Sequence, residues 1–216
     1  MTRVRTAFAI ADAMSYLHSR RIVFRDLKPA NVGFDAAGVL KLFDFGFAIG
    51  VDEEPESDPA NPPCSEKSYG EEGDDESQQQ LPHLLYDRCG TPRYMAPEVG
   101  LAIGYSLPAD VYSFGILLWE ICALKKPFGH VRSADEFQRT VFEKGIRPKM
   151  TGGRAWPEDL TDLIAGCWSA DPGGRPAMSL VKSTLAAHAR GLSMREDKDG
   201  GRGSMRSSSM FRRFTG

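Results

Sequence analysis

The sequence predicts a mainly α-helical fold with a small β element. Residues 2–19 carry apolar side chains at every third or fourth position, the period of a helix with one buried face. Residues 109–124 are apolar on nearly all sides, which indicates a helix at the centre of a domain. Short apolar pieces at 22–24 and 39–43, with a hairpin turn over 34–39, predict the β element.

Three further helices are predicted towards the end of the chain, over 134–144, 157–169 and 176–188. The last two begin at Pro157 and Pro176, and proline is favoured in the first turn of a helix.

Composition excludes several classes of protein. The 216 residues are 41% hydrophobic with a net charge of −2, which gives no reason to expect nucleic-acid binding. We find no signal peptide and no apolar run long enough to span a bilayer. The four cysteines form no C-x-x-C pair, so we expect reduced thiols in a cytoplasmic protein.

Charge divides the chain into four segments. Residues 51–80 hold eleven acidic residues, one basic residue and four prolines, which predicts a disordered acidic insert over 51–83. A tail rich in Gly, Ser and Arg over 189–216 is also predicted to be disordered. The ordered parts are then residues 1–50 and 84–188.

Two short strings carry the chemistry of phosphoryl transfer. Residues 24–31 read F-R-D-L-K-P-A-N, and residues 44–46 read D-F-G. Transfer from ATP needs a carboxylate for the attacking hydroxyl, a cation beside the phosphoryl group and oxygen ligands for Mg²⁺. The candidates for these roles are Asp26, Lys28, Asn31 and Asp44.

The two strings together resemble the catalytic loop and the metal-binding motif of eukaryotic protein kinases. The resemblance implies that Asp26 is the catalytic base and that Lys28 contacts the γ-phosphate. It implies that Asn31 and Asp44 bind Mg²⁺, so that ATP and Mg²⁺ are the cofactors. Lysine at position 28 of this string resembles the pattern of serine/threonine kinases. The resemblance therefore implies that the substrates are proteins, modified at serine or threonine.

Later motifs follow in the family's order. G-T-P-R-Y-M-A-P-E at residues 90–98 resembles the substrate-docking segment, and it implies that Thr91 bonds near Asp26 and Lys28. The resemblance further implies structural roles for the remaining motif residues. Asp110 would brace the catalytic loop, and Arg175 would pair with Glu98. Asp110 and Arg175 lie in D-V-Y-S-F-G at 110–115 and in C-W-S-A-D-P-G-G-R-P at 167–176, and both strings are most similar to the tyrosine-kinase-like group.

The resemblance covers only the C-terminal lobe. No G-x-G-x-x-G loop or strand lysine precedes residue 24, so we expect that the N-terminal lobe is absent and that an apolar surface is exposed. That lobe or a partner protein would cover the surface. Phe24 replaces the usual histidine and should stack on Phe45, while Gly33 replaces a leucine beneath the adenine.

Arg25 resembles the arginine that pairs with an activation-loop phosphate. Residues 81–90 contain no Ser or Thr, so the phosphate would have to come from Tyr86, or from Ser68 or Ser77 in the insert.

Three functions are open at this point. The first is a protein serine/threonine kinase. The second is a pseudokinase-like or single-lobe binding module. The third, a regulatory role, would make the serines at 207–209 phosphate acceptors.

Overall fold

The computed structural model describes residues 3–51, 84–150 and 156–199, with side chains as far as residue 190. The helices are α1 (Arg3–Ser19), α2 (Pro97–Leu101), α3 (Pro108–Ala123), α4 (Ala134–Phe137), α5 (Glu158–Cys167) and α6 (Met178–Asp199). The strands are β1 (Ile22–Val23), β2 (Val32–Phe34), β3 (Leu40–Leu42) and β4 (Ile49–Gly50). The predicted fold class, mainly α with a small β element, is confirmed.

Helix α3 is the centre of the core. Every residue from Ala109 to Trp119 is buried, which confirms the prediction from its apolar surface. Helix α1 lies against α6 and α3, and α5 packs on α3 as well. The buried face of α1 repeats every three or four residues, as the sequence predicts: Ala7, Ile10, Ala11, Met14 and Leu17.

The strands form two antiparallel pairs beside residues 24–31. β2 pairs with β3 with Val32 opposite Leu42, and β1 pairs with β4. Asp35 closes the predicted hairpin turn, because its Oδ1 accepts hydrogen bonds from the backbone N–H groups of Ala37 and Val39. The pairing of β1 with β4 was not predicted, since each strand has only two residues.

Several details differ from the prediction. Val51, assigned to the acidic insert, is 9% exposed and donates its backbone N–H to Arg21 O at 2.8 Å. The helix predicted over 134–144 changes from α to π geometry over Gln138–Glu143. Helix α6 continues to Asp199, eleven residues into the predicted tail, because an existing helix adds residues easily where most of them are good helix formers.

Other expectations fall outside the described residues. These are the disorder of the insert over 52–83, the rest of the tail from residue 200, and the serines proposed as phosphate acceptors. Within the described ranges, no helix is both long enough and apolar enough to cross a bilayer.

A buried ion pair joins α2 to the segment before α6. Arg175 Nη1 and Nη2 donate to the two carboxylate oxygens of Glu98 at 2.5 and 2.9 Å. Arg175 also donates to the backbone carbonyls of Ser169 and Pro108, and its guanidinium lies 5.2 Å from the ring centroid of Tyr112. The charge is therefore buried with partners on several sides, which is the condition under which a buried pair is tolerated.

Two substitutions at this point should differ sharply in stability. Arg175→Met leaves the buried Glu98 carboxylate without its charged partner and should lower the free energy of unfolding by about 3–5 kcal/mol. Tyr112→Phe removes a buried hydroxyl that has no hydrogen-bond partner among the described residues, so it should be neutral or stabilise by about 1 kcal/mol. Urea unfolding followed by tryptophan fluorescence measures both. Equal losses for the two variants would contradict this account of the pair.

Candidate active site

Asp26 is the centre of the candidate site and is 4% exposed. Its Oδ2 accepts hydrogen bonds from Lys28 Nζ at 2.6 Å and from Asn31 Nδ2 at 3.1 Å. Its Oδ1 accepts one from Thr91 Oγ1 at 2.7 Å, across 65 positions of sequence. A buried carboxylate needs such partners, and here they come from two separate parts of the chain.

Lys28 and Thr91 complete a closed triangle with Asp26. Lys28 Nζ donates to Thr91 Oγ1 at 3.0 Å, while the Thr91 hydroxyl donates to Asp26. An ammonium group has three donors, and two of them are used by these contacts. The Lys28 side chain is 24% exposed, so this cation can still meet a bound molecule.

Asn31 lies at the end of a short 3-10 turn, Pro29–Asn31, and is 5% exposed. Its Nδ2 group donates both to the Asp26 carboxylate and to Asp26 O at 2.9 Å. With the N–H groups turned towards Asp26, the amide oxygen is the remaining polar atom of the side chain.

Asp44 is held beside this loop by contacts of both its neighbours. Phe43 N donates to Asn31 O at 2.9 Å, and the Phe45 ring packs edge-on against Phe24 with 5.2 Å between centroids. Asp44 itself has left-handed backbone geometry, with φ 59°, and its Oδ1 accepts from Gly46 N at 3.4 Å. The sequence predicts that Phe24 stacks on Phe45, and the two rings do meet, but edge to face.

The donors that Asn31 and Asp44 offer fit magnesium. Mg²⁺ prefers oxygen ligands and is commonly held by one or two carboxylates together with substrate phosphates and water. Within the described part of the chain, no three His, Cys, Asp or Glu side chains form a metal cluster. A cation at this site would therefore depend on oxygen atoms of a bound phosphate for its remaining ligands.

Asp110 supports the loop from below and is 1% exposed. It accepts hydrogen bonds from the backbone N–H of Phe24 at 2.7 Å and of Arg25 at 2.8 Å. His18 Nε2 lies 3.1 Å from the same carboxylate. The bond to Arg25 N holds a residue whose φ is 69°, a strained conformation outside glycine.

Phe43 fills the space that Gly33 leaves open. A Cβ atom on Gly33 would lie 2.7 Å from Phe43 Cε2, which is too close for any side chain without movement of the ring. Phe43 is 51% exposed, so its ring presents apolar surface where the resemblance places a leucine. The sequence alone did not single out Phe43.

The expected exposed apolar surface is also present. Six large apolar side chains between residues 34 and 49 are 39–51% exposed. They are Phe34, Val39, Phe43, Phe45, Phe47 and Ile49.

Three residues of the site's surroundings were missed from sequence. They are His18, which meets Asp110, and Asp87 and Tyr105, which meet Arg25. The partners in these three contacts are 92, 62 and 80 residues apart in the sequence. No motif or spacing indicates that they meet.

Comparison with known proteins adds a family to this geometry. A family model described as the protein kinase domain matches residues 3–185. A probable LIM domain-containing serine/threonine-protein kinase of Dictyostelium discoideum is 30% identical over 197 residues, covering 91% of this chain and 25% of that protein. A dual specificity protein kinase of the same organism is 33% identical over 192 residues, covering 85% of this chain and 31% of that protein.

A second organism gives a similar match. A cGMP-dependent protein kinase of Toxoplasma gondii is 34% identical over 168 residues, covering 76% of this chain and 13% of that protein. The chain thus spans less than a third of the length of each of these relatives. By its family match and by these relatives, the chain belongs to the eukaryotic protein kinase superfamily.

Proposed function

We propose that the protein transfers the γ-phosphoryl group of ATP to serine or threonine residues of protein substrates. The observation that carries the proposal is the closed contact among Asp26, Lys28 and Thr91, which Asn31 joins through its amide group. The two neighbours of Asp44 in sequence contact the same loop. This arrangement offers a base, a cation and oxygen ligands within one small region, as phosphoryl transfer requires.

Asp26 is the proposed general base. A carboxylate has about four acceptor positions, two on each oxygen. Among the described residues, Oδ2 accepts two hydrogen bonds and Oδ1 accepts one. The remaining position is therefore on Oδ1, and it is the one that would accept the proton of the substrate hydroxyl as that oxygen attacks phosphorus.

Lys28 is proposed to steady the phosphoryl group that moves. Its third N–H donor is directed to none of the described side chains, and its positive charge lies 2.6 Å from the base. The contact therefore fixes the cation next to the base, where the phosphoryl group would pass during transfer.

Asn31 and Asp44 would hold Mg²⁺ through the amide oxygen and the carboxylate. The metal ion, when bound with ATP, neutralises negative charge on the phosphates. The role of these side chains is to fix its position relative to Asp26, and the two hydrogen bonds of Asn31 to Asp26 support that role.

Thr91 supports the preference for serine and threonine substrates. It links the segment after residue 84 to the base, so a docked hydroxyl would lie between that segment and Asp26.

The residues of the motifs at 110–115 and 167–176 support a place in the tyrosine-kinase-like group. We further propose that residues 1–50 and 84–188 are the two ordered parts, that 51–83 is an acidic insert and that 189–216 is a tail. Two boundaries are adjusted, because Val51 is bound to Arg21 and helix α6 continues to Asp199.

The exposed apolar side chains between residues 34 and 49 suggest what covers the nucleotide. We propose that an N-terminal lobe or a partner protein lies on this surface and completes the ATP site. Phe43 would contribute apolar area at the floor of that site, in place of a side chain at Gly33.

The same surface favours a second function, that of a binding module. Four of the exposed side chains are phenylalanines, 42–51% exposed, and aromatic residues are enriched at protein interfaces. On this alternative the fold is retained for docking, and phosphate transfer is lost or minor.

The role of Asp26 is tested by Asp26→Asn in the full-length protein. Loss of the base should lower kcat by about 10²–10⁴, measured as transfer from radiolabelled ATP to a generic protein substrate. Asp162→Asn is the matched control, because Asp162 is exposed on α5. Unchanged kcat in Asp26→Asn would contradict the assignment. A wild-type protein that transfers no phosphate but binds a partner would support the binding module.

The link through Thr91 is tested by a pair of substitutions. Thr91→Val keeps the shape but removes the hydroxyl that bonds Asp26 and Lys28, so kcat should fall about tenfold or more with little change in the KM for ATP. Thr91→Ser keeps the hydroxyl and should retain most activity. Equal activities of the two variants would show that the hydroxyl does not position the base.

A further inference from the structure

The Arg25 side chain, next to the base, binds protein groups through its Nη1 and Nε atoms. Its Nη1 donates to both carboxylate oxygens of Asp87, at 2.9 and 2.7 Å, and to Tyr105 Oη at 3.2 Å. Its Nε donates to Phe47 O. Although Asp87 is 58% exposed, the Arg25 side chain is only 10% exposed, so this guanidinium is largely enclosed.

Asp87 is fixed on its other side by Tyr105, which is 2% exposed. The Tyr105 hydroxyl has one hydrogen to donate, and it lies within reach of two acceptors, Asp87 Oδ1 at 3.0 Å and Asp87 O at 2.9 Å. Burial raises the pKa of Asp87, but the Tyr105 hydrogen bond and the Arg25 charge outweigh it, so the pKa lies below its usual value. Leu85 also pairs with Tyr105 in an antiparallel bridge, and together these contacts hold the segment before Thr91.

The segment then passes in direct contact with the catalytic loop. Gly90 has φ 95°, and a Cβ atom there would lie 2.3 Å from Arg25 O. Only glycine allows this approach. The next residue, Thr91, reaches Asp26. The pair of Arg25 with Asp87 therefore lies four residues before the contact that links this segment to the base.

We propose that Asp87 is a positioning residue that takes the place of an activation phosphate. Its permanent charge pairs with Arg25 and keeps residues 84–91 against the catalytic loop without phosphorylation. The absence of Ser and Thr from residues 81–90 agrees with this, because the carboxylate already occupies the position where a phosphate would pair with Arg25. The proposal builds on the proposed kinase function, but the order of this segment can be measured without any activity.

Cys89 provides that measurement. It is 9% exposed, its Sγ lies 3.5 Å from Tyr105 Oη, and burial raises the pKa of its thiol above the usual value. Opening of the segment should therefore speed its alkylation. Cys167 is fully buried in α5 and reports global unfolding in the same sample.

The experiment follows alkylation of each cysteine by N-ethylmaleimide, with peptide mass spectrometry, in protein treated with a phosphatase. We expect Asp87→Asn to speed labelling of Cys89 about five- to tenfold while Cys167 stays protected. Asp87→Glu should restore protection by keeping the charge, and Asp135→Asn, an exposed site on α4, should label like the wild type.

Two results would overturn the proposal. One is equal labelling of Cys89 in Asp87→Asn and in the wild type. The other is a dephosphorylated wild type in which Cys89 labels as fast as in Asp87→Asn and becomes protected only after phosphorylation of Tyr86, Ser68 or Ser77. In the full-length protein, phosphatase treatment should leave kcat of the wild type unchanged. If the proposed kinase function fails, the labelling result still decides whether Asp87 orders the segment.

Discussion

The hydrogen bonds that Asp110 accepts from the backbone N–H groups of Phe24 and Arg25 are the constraint on which the site depends. A carboxylate that is 1% exposed must be satisfied by fixed donors, and it receives two from the loop and a contact from His18. Because Asp110 lies in the first turn of the buried helix α3, the loop is anchored to the central helix of the core. That anchor holds Arg25 in left-handed geometry and thereby sets the position of Asp26.

Arg25 connects this anchor to the segment that carries Thr91. Its N–H is bound to Asp110, its carbonyl lies against Gly90, and its side chain binds Asp87. Arg25 therefore connects the core, through Asp110, both to the loop that carries Asp26 and to the segment that carries Thr91. The buried pair of Glu98 with Arg175 acts further along the same segment, where it attaches α2 to the remainder of the helical core.

Much of this could be predicted from sequence, because it depends on periodicity and on short strings. The buried face of α1 and the all-apolar α3 follow from their patterns, and Asp26, Lys28 and Asn31 are near neighbours in one loop. The partners of Arg25 could not be predicted, since Asp87 and Tyr105 belong to no motif and reach it across 62 and 80 residues. The packing of the Phe43 ring against Gly33 could not be predicted either, because it depends on how β2 and β3 pair.

The central claim, that Asn31 and Asp44 hold a metal ion with its nucleotide beside Asp26, is tested most directly by nuclear magnetic resonance with Mn²⁺ and ATP. The paramagnetic ion broadens amide signals near it, and spectra with Mn²⁺ alone correct for binding to acidic side chains elsewhere. Broadening that requires ATP should be centred on residues 26–31 and 43–46 and should leave α5 and α6 unaffected. Broadening that is centred elsewhere, or that does not depend on ATP, would contradict the account.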